Sequence, residues 1–331
     1  MTLYRFSIFF IGLCAFLLLS PVSFPSADDE PTTYTIGTWN VARLSLSKRG
    51  KKIIPDVANV IANKLNAKIM ILNEVSGDKV EGEPVRESKT IMKLIEELDN
   101  YGGDYGYIIT ASGGSGLRVA ILFDKNCVEL NAEDELDIPE EKVQNQDIFS
   151  RNPLVARFTF LKDSVRMNDL LVVGLHLASG QRLIKNHTAA MDELLGQLSD
   201  LRAEGKICPD DEYDILVAGD FNSDFIAEKQ RVILDEWFKE DYDVLATDNY
   251  PCTNLNGKEL RPYSRLDYMI VSSFNSEHNG LYGEEIDVPE ATVWYSLAGE
   301  NEDWVSYKEN FSDHFPVTVK VKVMDDTDQR S

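Results

Sequence analysis

The chain of 331 residues is long enough for one large α/β domain or two smaller domains, with ample sequence for a hydrophobic core. Hydrophobic residues make up 43% of the chain and charged residues 27%, which is ordinary for a soluble globular protein. The formal net charge of −23 excludes the binding of polyanions through the overall electrostatic field. If the substrate carries phosphate, local arginines and a metal ion must therefore supply the positive charge.

The first residues have the pattern of a secretory signal peptide. Arg5 gives a charged start, an apolar run follows from Ile8 to Leu19, and the acidic stretch Asp28 to Glu30 comes next. Because the apolar run is shorter than the ~20 residues that span a bilayer, we predict a cleaved signal over residues 1–27 and a secreted or periplasmic mature protein. The alternative is an uncleaved membrane anchor.

The remaining chain, residues 28–331, is predicted to form a single domain, because no linker or internal repeat divides it. It contains three of the four cysteines. In a secreted protein this number allows one disulfide, and the polar, loop-like settings of Cys208 and Cys252 favour that pair. The cysteine spacing does not fit a structural zinc site.

Both strands and helices are predicted along the chain. Strands are predicted wherever β-branched and aromatic residues alternate or form short apolar runs: residues 33–39, 67–73, 105–110, 117–123, 154–160, 170–175, 215–218, 266–272 and 315–323. Helices are predicted where apolar residues recur at three- and four-residue spacing: residues 55–66, 88–98, 182–202 and 228–238. Residues 130–146 are acidic and without a pattern, so they are predicted to form a loop.

Two polar residues follow the apolar run Ile215–Ala218, where this predicted strand ends. Asp220 and Asn222 are two residues apart, so both side chains can point the same way out of the strand end. Gly219 allows the backbone to bend or to be approached closely at this point. Taken alone, an Asp-x-Asn sequence after a strand more often marks a turn than a binding site.

Further polar residues stand at the ends of other predicted strands. In chain order the set is Asn40, Glu74, His176, Asp220, Asn222, Asp267, Asp313 and His314. Each of them alone has an ordinary explanation, such as a turn, a satisfied core histidine or a buried ion-pair partner. Together they supply carboxylate and amide oxygens for Mg²⁺ and histidines that transfer protons near neutral pH, which metal-assisted phosphoryl chemistry needs.

Short motifs around these residues resemble the endonuclease/exonuclease/phosphatase superfamily, which includes deoxyribonuclease I, abasic-site endonucleases, neutral sphingomyelinases and inositol-polyphosphate phosphatases. The matching motifs are Thr38-Trp39-Asn40, Leu72-Asn73-Glu74, Leu175-His176-Leu177, Gly219-Asp220-Phe221-Asn222, Leu266-Asp267-Tyr268 and Ser312-Asp313-His314-Phe315-Pro316-Val317. They occur in the family's order and span nearly the whole predicted mature chain. The resemblance implies an α/β (α+β) fold, a four-layer sandwich in which two mixed β-sheets pack face to face with helices outside.

The resemblance also implies a metal site. Glu74 is expected to be the main Mg²⁺ ligand, with Asn40 and Asp313 nearby. Mn²⁺ and Ca²⁺ are the alternative ions, and the number of metal ions stays open.

The same resemblance implies roles for the remaining residues of the set. Asp220 and Asn222 are expected to position the attacking water and the phosphate. His314 is expected to act as general base or phosphate-orienting group, steadied by Asp267, and His176 as general acid or phosphate contact. Sequence alone does not decide which histidine does which.

Two arginines are candidate phosphate contacts. Arg151 lies in a segment, Asp147 to Phe158, that resembles the Arg-x-Pro segment of deoxyribonuclease I and secreted bacterial nucleases, and a plain surface arginine is the alternative. Arg118 stands near the place where deoxyribonuclease I has a glutamate, and phosphate binding as in toxin-like relatives is the role suggested for it. Ala42 also departs from that enzyme, which has an arginine there, so contacts to a DNA groove do not follow from the resemblance.

These observations lead to three hypotheses of function. The first is a secreted, Mg²⁺-dependent phosphodiesterase that hydrolyses nucleic acid, with DNA endonuclease as the expected activity. The second keeps the chemistry but acts as a sphingomyelinase or phosphoinositide phosphatase, and the third is a non-enzymatic binding module. We expect a monomer with a nucleic acid substrate and no stable membrane association.

Overall fold

The computed structural model describes residues 31–77, 86–111, 116–136, 151–179, 184–205, 214–223, 242–247, 252–255, 261–273, 280–281, 285–286, 290–299 and 301–325. Apart from Pro31, these residues belong to one compact unit, Thr32–Ser331. The predicted signal peptide, the predicted helix 228–238 and Cys208 lie outside the described residues. The signal peptide and the disulfide therefore stay predictions.

A larger sheet contains seven of the described strands. They are β1 (Thr33–Leu44), β2 (Ala67–Ser76), β3 (Tyr105–Ile109), β4 (Leu117–Asp124), β10 (Ala246–Thr247), β14 (Glu290–Val293) and β15 (Val317–Lys322). Their order in the sheet is β10-β14-β15-β1-β2-β4-β3. The pairs β1/β2 and β10/β14 are parallel and the other pairs are antiparallel, so the sheet is mixed.

A second sheet contains six described strands. They are β5 (Val128–Glu135), β6 (Leu154–Lys162), β7 (Val165–His176), β8 (Ile215–Asp220), β9 (Tyr242–Val244) and β13 (Asp267–Ser272), in the order β5-β6-β7-β8-β13-β9. Only β7 and β8 run parallel among these pairs. A separate two-stranded ribbon pairs β11 (Asn254–Leu255) with β12 (Pro262–Ser264).

The first residues of the predicted loop, residues 130–135, belong to strand β5 instead. Residues Val128–Glu135 pair with β6 as an edge strand, and most of their side chains are at least partly exposed. An edge strand that carries acidic side chains toward solvent lacks the apolar alternation by which strands are recognised. The rest of the predicted loop, residues 137–146, lies outside the described residues.

Four α-helices are described: α1 (Lys48–Asn59), α2 (Lys89–Asp99), α3 (Ile184–Glu204) and α4 (Trp304–Asn310). The first continues as a π-helix, Val60–Leu65, and a 3₁₀ helix covers Tyr295–Ala298. The predicted start of the first helix at Pro55 is wrong, because α1 begins earlier and Pro55 lies inside it. At the start of α2 the Ser88 hydroxyl caps the helix by accepting a hydrogen bond from the Ile91 amide at 3.2 Å.

The alternation of side chains along the strands builds four layers. On β2, Ile69 and Ile71 face a core shared with the six-stranded sheet, whereas Met70 and Leu72 face a separate core under α1 and α2. The outer face of the six-stranded sheet packs on α3, where Leu194 joins a third core. The layers are therefore helices, sheet, sheet and helix, which confirms the expected sandwich.

Within the described part of the chain, no helix is both long enough and apolar enough to cross a membrane.

Candidate active site

The strand alternation that builds the central core also brings the site together. On β7 the inward positions Leu170 and Val172 continue to His176, and on β8 the inward position Ala218 continues to Asp220. His176 is the direct neighbour of Asp220 across the parallel pair, and Asp220 is the direct neighbour of Asp267 across the antiparallel pair. Three ionisable side chains from adjacent strands therefore meet at one end of the sandwich, between the two sheets.

Asp220 is the centre of this group. Its Oδ1 accepts a hydrogen bond from the Asn222 amide at 2.8 Å, and its Oδ2 accepts one from Asn40 Nδ2 at 2.9 Å. The preceding Gly219 has φ +152°, and a Cβ there would lie 1.9 Å from the Leu175 carbonyl oxygen. Only glycine allows β8 to pass this close to β7, so Gly219 fixes the position from which Asp220 projects.

His314 forms an ion pair with a fully buried carboxylate. Its Nδ1 lies 2.8 Å from Asp267 Oδ2, and its Nε2 lies 3.9 Å from Asp220 Oδ2. Burial by itself lowers the pKa of His314, but the negative charges of Asp267, Asp220 and Asp313, together with the hydrogen bond to Asp267, raise it to about 10. His314 is therefore a cation at neutral pH that is held between two carboxylates.

The backbone around His314 is fixed from three sides. The indole of Trp39 and the hydroxyl of Tyr307 both donate to the His314 carbonyl, at 2.9 Å and 2.7 Å. The Ser312 hydroxyl accepts from the His314 amide at 3.1 Å and donates to the Asn40 carbonyl at 2.6 Å. The segment before β15 is thus tied to β1, so that His314 and Asn40 are held in place together.

His176 has the opposite electrostatic situation. Its Nε2 lies 3.5 Å from Asp220 Oδ2, while its buried Nδ1 has no hydrogen-bond partner among the described residues. Burial lowers the pKa of His176, Asp220 opposes this effect, and the positive charges of Arg151 and His314 lower the pKa further, to about 4. His176 is therefore neutral at pH 7.

Glu74 stands at an irregularity that both β1 and β2 share. The pairing of these strands shifts between Asn40 and Leu44, and Glu74 has a left-handed backbone with φ +63°. Its Oε1 lies 3.4 Å from Asn40 Nδ2, whereas its side chain keeps 22% of its surface exposed. The bulge re-aims the carboxylate, which gives Glu74 contact with the site on one side and with solvent on the other.

Asp313 points partly away from the centre. Its Oδ2 lies 3.1 Å from Lys308 Nζ, and its side chain is 33% exposed. Burial raises the pKa of Asp313, but the positive charges of His314 and Lys308 outweigh burial and lower it. Within the described part of the chain, Asp313 makes no hydrogen bond or ion pair with Glu74 or Asn40, so a lysine competes for a carboxylate that was expected to bind metal.

The donor atoms fit a hard divalent cation next to Glu74. Carboxylate and amide oxygens are the ligands that Mg²⁺ prefers, and Glu74 presents a partly exposed carboxylate whose Oε2 lies 4.0 Å from Arg43 Nε. The Asn40 amide turns its nitrogen toward Glu74, and its Oδ1 accepts from the Ala42 amide at 3.0 Å. A second, more buried group, Asp220, Asp267 and His314, has ligand atoms that all lie within 4.8 Å of one another. In that group the Asp267 carboxylate is already paired with His314 Nδ1 at 2.8 Å.

The two arginines have different surroundings. Arg151 is half-buried, and its charge contributes to the lowered pKa of His176, which places it beside the centre. Arg118 is buried on β4 opposite Val75, the residue that follows Glu74, and its Nη1 donates to the Thr110 carbonyl at 3.0 Å. The guanidinium of Arg118 also packs on Gly77. Phosphate binding by either arginine stays a prediction.

The structure adds a residue whose role was not predicted. Asn73 continues the inward positions Ile69 and Ile71 of β2 and is fully buried. Its Nδ2 donates to the Leu175 carbonyl at 2.9 Å, and its Oδ1 accepts from the Asp220 amide at 3.2 Å. An amide at an inward position of an apolar strand is the signal that points to it, because a buried polar group needs partners.

Comparison with known proteins supports the fold. No protein-family model matches the chain, and no curated protein matches it. The endonuclease/exonuclease/phosphatase family protein from Leptotrichia buccalis is similar in structure, with a TM-score of 0.55 and 19% identity over 88% of this chain and 99% of that one.

Two further solved structures have named activities or ligands. A mannosyl-6-phosphatase from Bacteroides thetaiotaomicron has a TM-score of 0.52 and 15% identity over 88% of this chain and 99% of that one. D. rerio TDP2, complexed with a single-strand DNA product, has a TM-score of 0.56 and 13% identity over 88% of this chain and 100% of that one. At these identities the likeness shows that the chain has the fold of endonuclease/exonuclease/phosphatase proteins.

Proposed function

We propose that this protein is a divalent-metal-dependent phosphoesterase of the endonuclease/exonuclease/phosphatase superfamily. The observation that carries the proposal is the Asp220 carboxylate, which is shared by Asn40, His176 and His314. Beside this one acceptor the pKa of His176 is lowered and the pKa of His314 is raised. Such a pair of a cationic and a neutral imidazole, next to the partly exposed carboxylate of Glu74, suits the binding and hydrolysis of a phosphate ester.

The residues have the following proposed roles. Asp220 holds and polarises the attacking water, and the Asn222 amide fixes the Asp220 carboxylate by its hydrogen bond of 2.8 Å. The cationic His314 donates a hydrogen bond from Nε2 to a non-bridging phosphate oxygen, and Asp267 keeps the ring oriented through Nδ1 at 2.8 Å. The neutral His176 contacts the phosphate from the opposite side of Asp220.

Glu74, with Asn40 and Asp313, would hold the Mg²⁺ ion. When bound, the ion neutralises negative charge on the phosphate and polarises its oxygen. Asp313 contributes only after Lys308, which lies 3.1 Å from its Oδ2, moves away from it. Mn²⁺ and Ca²⁺ are the alternative ions.

For the substrate we propose nucleic acid, with DNA endonuclease as the activity and secretion as the route. Arg151 beside His176 supports a phosphodiester, because a guanidinium matches the phosphate oxygens. D. rerio TDP2, which shares the fold, was crystallised with a single-strand DNA product. With a net charge of −23, affinity for a polyanion has to come from these local groups and the metal ion.

A plasmid-nicking assay with Mg²⁺ tests the proposal. We expect the purified protein to convert supercoiled DNA to the nicked form and to hydrolyse bis(p-nitrophenyl) phosphate. EDTA and the Glu74→Ala substitution are expected to abolish both activities. DNA that stays intact with Mg²⁺ or Mn²⁺, together with an unreacted model diester, would rule out the nuclease.

A phosphomonoesterase is the second candidate, and the mannosyl-6-phosphatase with the same fold favours it. A substrate panel separates the two. Release of inorganic phosphate from a sugar 6-phosphate or from a phosphoinositide, without DNA nicking, would support the monoesterase. Hydrolysis of sphingomyelin, without either of these, would instead support a sphingomyelinase.

A further inference from the structure

The ends of β7 and β8 are held by a side chain from the opposite sheet. Asn73 of β2 donates to the carbonyl of Leu175, the residue before His176, and accepts from the amide of Asp220 itself. One amide therefore binds both strands at the positions that carry the proposed catalytic side chains. It does so from the sheet that holds Asn40 and Glu74.

A second side chain binds the segments that directly follow β7 and β8. His187 of α3 is fully buried, and its Nε2 lies 3.0 Å from the Ala178 carbonyl oxygen while its Nδ1 lies 2.6 Å from Ser223 Oγ. Because a carbonyl can only accept, Nε2 carries the proton and Nδ1 accepts from the Ser223 hydroxyl. Ala178 follows His176 by two residues, and Ser223 directly follows Asn222.

Direct bonds between the two strand ends do not make these supports redundant. The Leu177 amide donates to the Asp220 carbonyl at 2.9 Å, and Asn222 Nδ2 donates to the Leu177 carbonyl at 2.8 Å. Both contacts join β7 to β8 within the six-stranded sheet, and neither of them reaches the seven-stranded sheet. The hydrogen bond from Asn40 to Asp220 does cross between the sheets, but it is part of the site itself. Asn73 also links the two sheets, and its own side chain has no role in the proposed chemistry.

We propose that Asn73 and His187 are positioning residues that fix the separation of His176 from Asp220 and Asn222. The expected effect on the reaction rate rests on the proposed function, whereas the hydrogen bonds are independent of it. Groups that act on one phosphate must be held to within a fraction of an ångström, and a displacement of about 1 Å can cost a factor of about 10² in rate. Asn73 sets the distance between the sheets, and His187 fixes the segments that follow the two strands.

The chain offers a matched control for Asn73 at the opposite end of β7. Asn168 is equally buried, with 1% exposure, and its side chain also makes two hydrogen bonds to backbone atoms near the end of β15. Its Nδ2 donates to the Lys322 carbonyl and its Oδ1 accepts from the Met324 amide, both at 3.2 Å. Asn168 thus links the same two sheets with the same chemistry but touches no residue of the site.

The first experiment compares Asn73→Leu with Asn168→Leu. Both variants lose two buried hydrogen bonds, so we expect a similar fall in melting temperature, on the order of 5–10 °C. With bis(p-nitrophenyl) phosphate and Mg²⁺, only Asn73→Leu is expected to lose about 30-fold or more in kcat, with KM within about twofold. Equal kcat values for the two variants would overturn the role of Asn73, and Asn73→Ser serves if Asn73→Leu does not fold.

The second experiment tests His187 through its partner. His187→Gln keeps an amide in place of Nε2 for the Ala178 carbonyl but loses the bond to Ser223, and Ser223→Ala removes the same bond from the other side. We expect each variant, and the double variant, to lose about the same factor of about 5 in kcat, because one contact is removed in all three. Losses that multiply in the double variant would contradict positioning through this bond.

Amide hydrogen exchange separates the inference from the proposed function. The Leu177 amide donates to the Asp220 carbonyl across the two strand ends, so it reports on their separation. The Asn222 amide donates to the Asp220 carboxylate and reports on the order of the end of β8. We expect the exchange of both amides to be at least about tenfold faster in Asn73→Leu than in Asn168→Leu. Unchanged exchange would refute the positioning role whatever the activity, whereas a wild-type protein without phosphoesterase activity would refute only the proposed function.

Discussion

His176 and His314 approach the same carboxylate oxygen from two sides, yet they have opposite proton affinities. Their Nε2 atoms lie 3.5 Å and 3.9 Å from Asp220 Oδ2, and both rings are buried. The difference lies at the other nitrogen of each ring. His314 Nδ1 contacts the Asp267 carboxylate at 2.8 Å, whereas His176 Nδ1 has no hydrogen-bond partner among the described residues.

The two histidines differ in charge because of the surroundings of Nδ1, the ring nitrogen that faces away from Asp220. Burial lowers the pKa of both histidines, and only His314 gains enough negative charge from Asp267 and its neighbours to raise its pKa to about 10. The pKa of His176 falls to about 4, since Asp220 alone does not compensate for burial and for the nearby positive charges. One residue type thus supplies a cation and a neutral acceptor around a single carboxylate.

Asp220→Asn breaks both sides of this comparison at once, so we expect the largest effect from it. The substitution keeps the shape of the side chain but removes the charge that both histidines face. A loss of about 10³-fold or more in the rate of plasmid nicking is expected, because the water loses its acceptor. Circular dichroism confirms that the variant is folded, and a folded variant with a rate within about tenfold of wild type would contradict the central role of Asp220.

Substituting the two histidines separately compares their contributions to the rate. His314→Gln removes the cation, and we expect a loss of about 10²- to 10³-fold in kcat. His176→Gln removes a neutral contact, and we expect a loss of about tenfold. The ratio of the two losses, measured with bis(p-nitrophenyl) phosphate, tests the assignment, and a larger loss in His176→Gln would reverse the two roles.

The pH dependence of stability, measured without metal, is expected to show the two histidines with opposite sign. Between pH 6.5 and about 4 the unfolded chain protonates its equivalent of His176 while the folded chain does not, so this histidine makes stability fall as the pH falls. Between pH 6.5 and about 10 the folded chain keeps the proton of His314 that the unfolded chain loses, so stability falls as the pH rises.

Urea unfolding in EDTA at a series of pH values measures both limbs. One titrating group contributes a slope of at most about 1.4 kcal/mol per pH unit. His176→Gln is expected to flatten the acid limb. His314→Gln is expected to flatten the alkaline limb and to weaken the acid limb to a smaller extent, because the charge of His314 also lowers the pKa of His176. If either variant altered the opposite limb instead, the corresponding proton affinity would be wrong.

The fold was predictable from the sequence because its signals are local. The apolar runs that became β2, β7 and β8 alternate between two cores, and this alternation also places His176 and Asp220 on the inner face. Strand β5 was missed because an exposed acidic edge lacks that alternation. The start of α1 was missed because Pro55 more often begins a helix than lies inside one.

The sequence indicated which residues lie together at the site better than it indicated the charges of the two histidines. Polar residues at strand ends gave Asn40, His176, Asp220 and His314, which the structure brings together. The proton affinities were not readable, because they depend on contacts such as the one between His314 and Asp267, which are 47 residues apart in sequence. The cross-sheet bonds of Asn73 likewise depend on how the two sheets pack.

Lys308→Met tests the smallest expected effect, which is the competition of a lysine with the metal ion for the Asp313 carboxylate beside His314. The pair with Asp313 is partly exposed, so we expect stability to change by less than about 1 kcal/mol. The substitution frees the Asp313 carboxylate, and the dissociation constant for Mg²⁺ in calorimetry is expected to fall by about two- to fivefold. Lys125→Met is the control, because Lys125 pairs with Asp104 in an exposed position outside the site and should leave Mg²⁺ binding unchanged. Equal Mg²⁺ affinities in the two variants would mean that Asp313 does not contribute to the metal site, and the ion would then rest on Glu74 and Asn40.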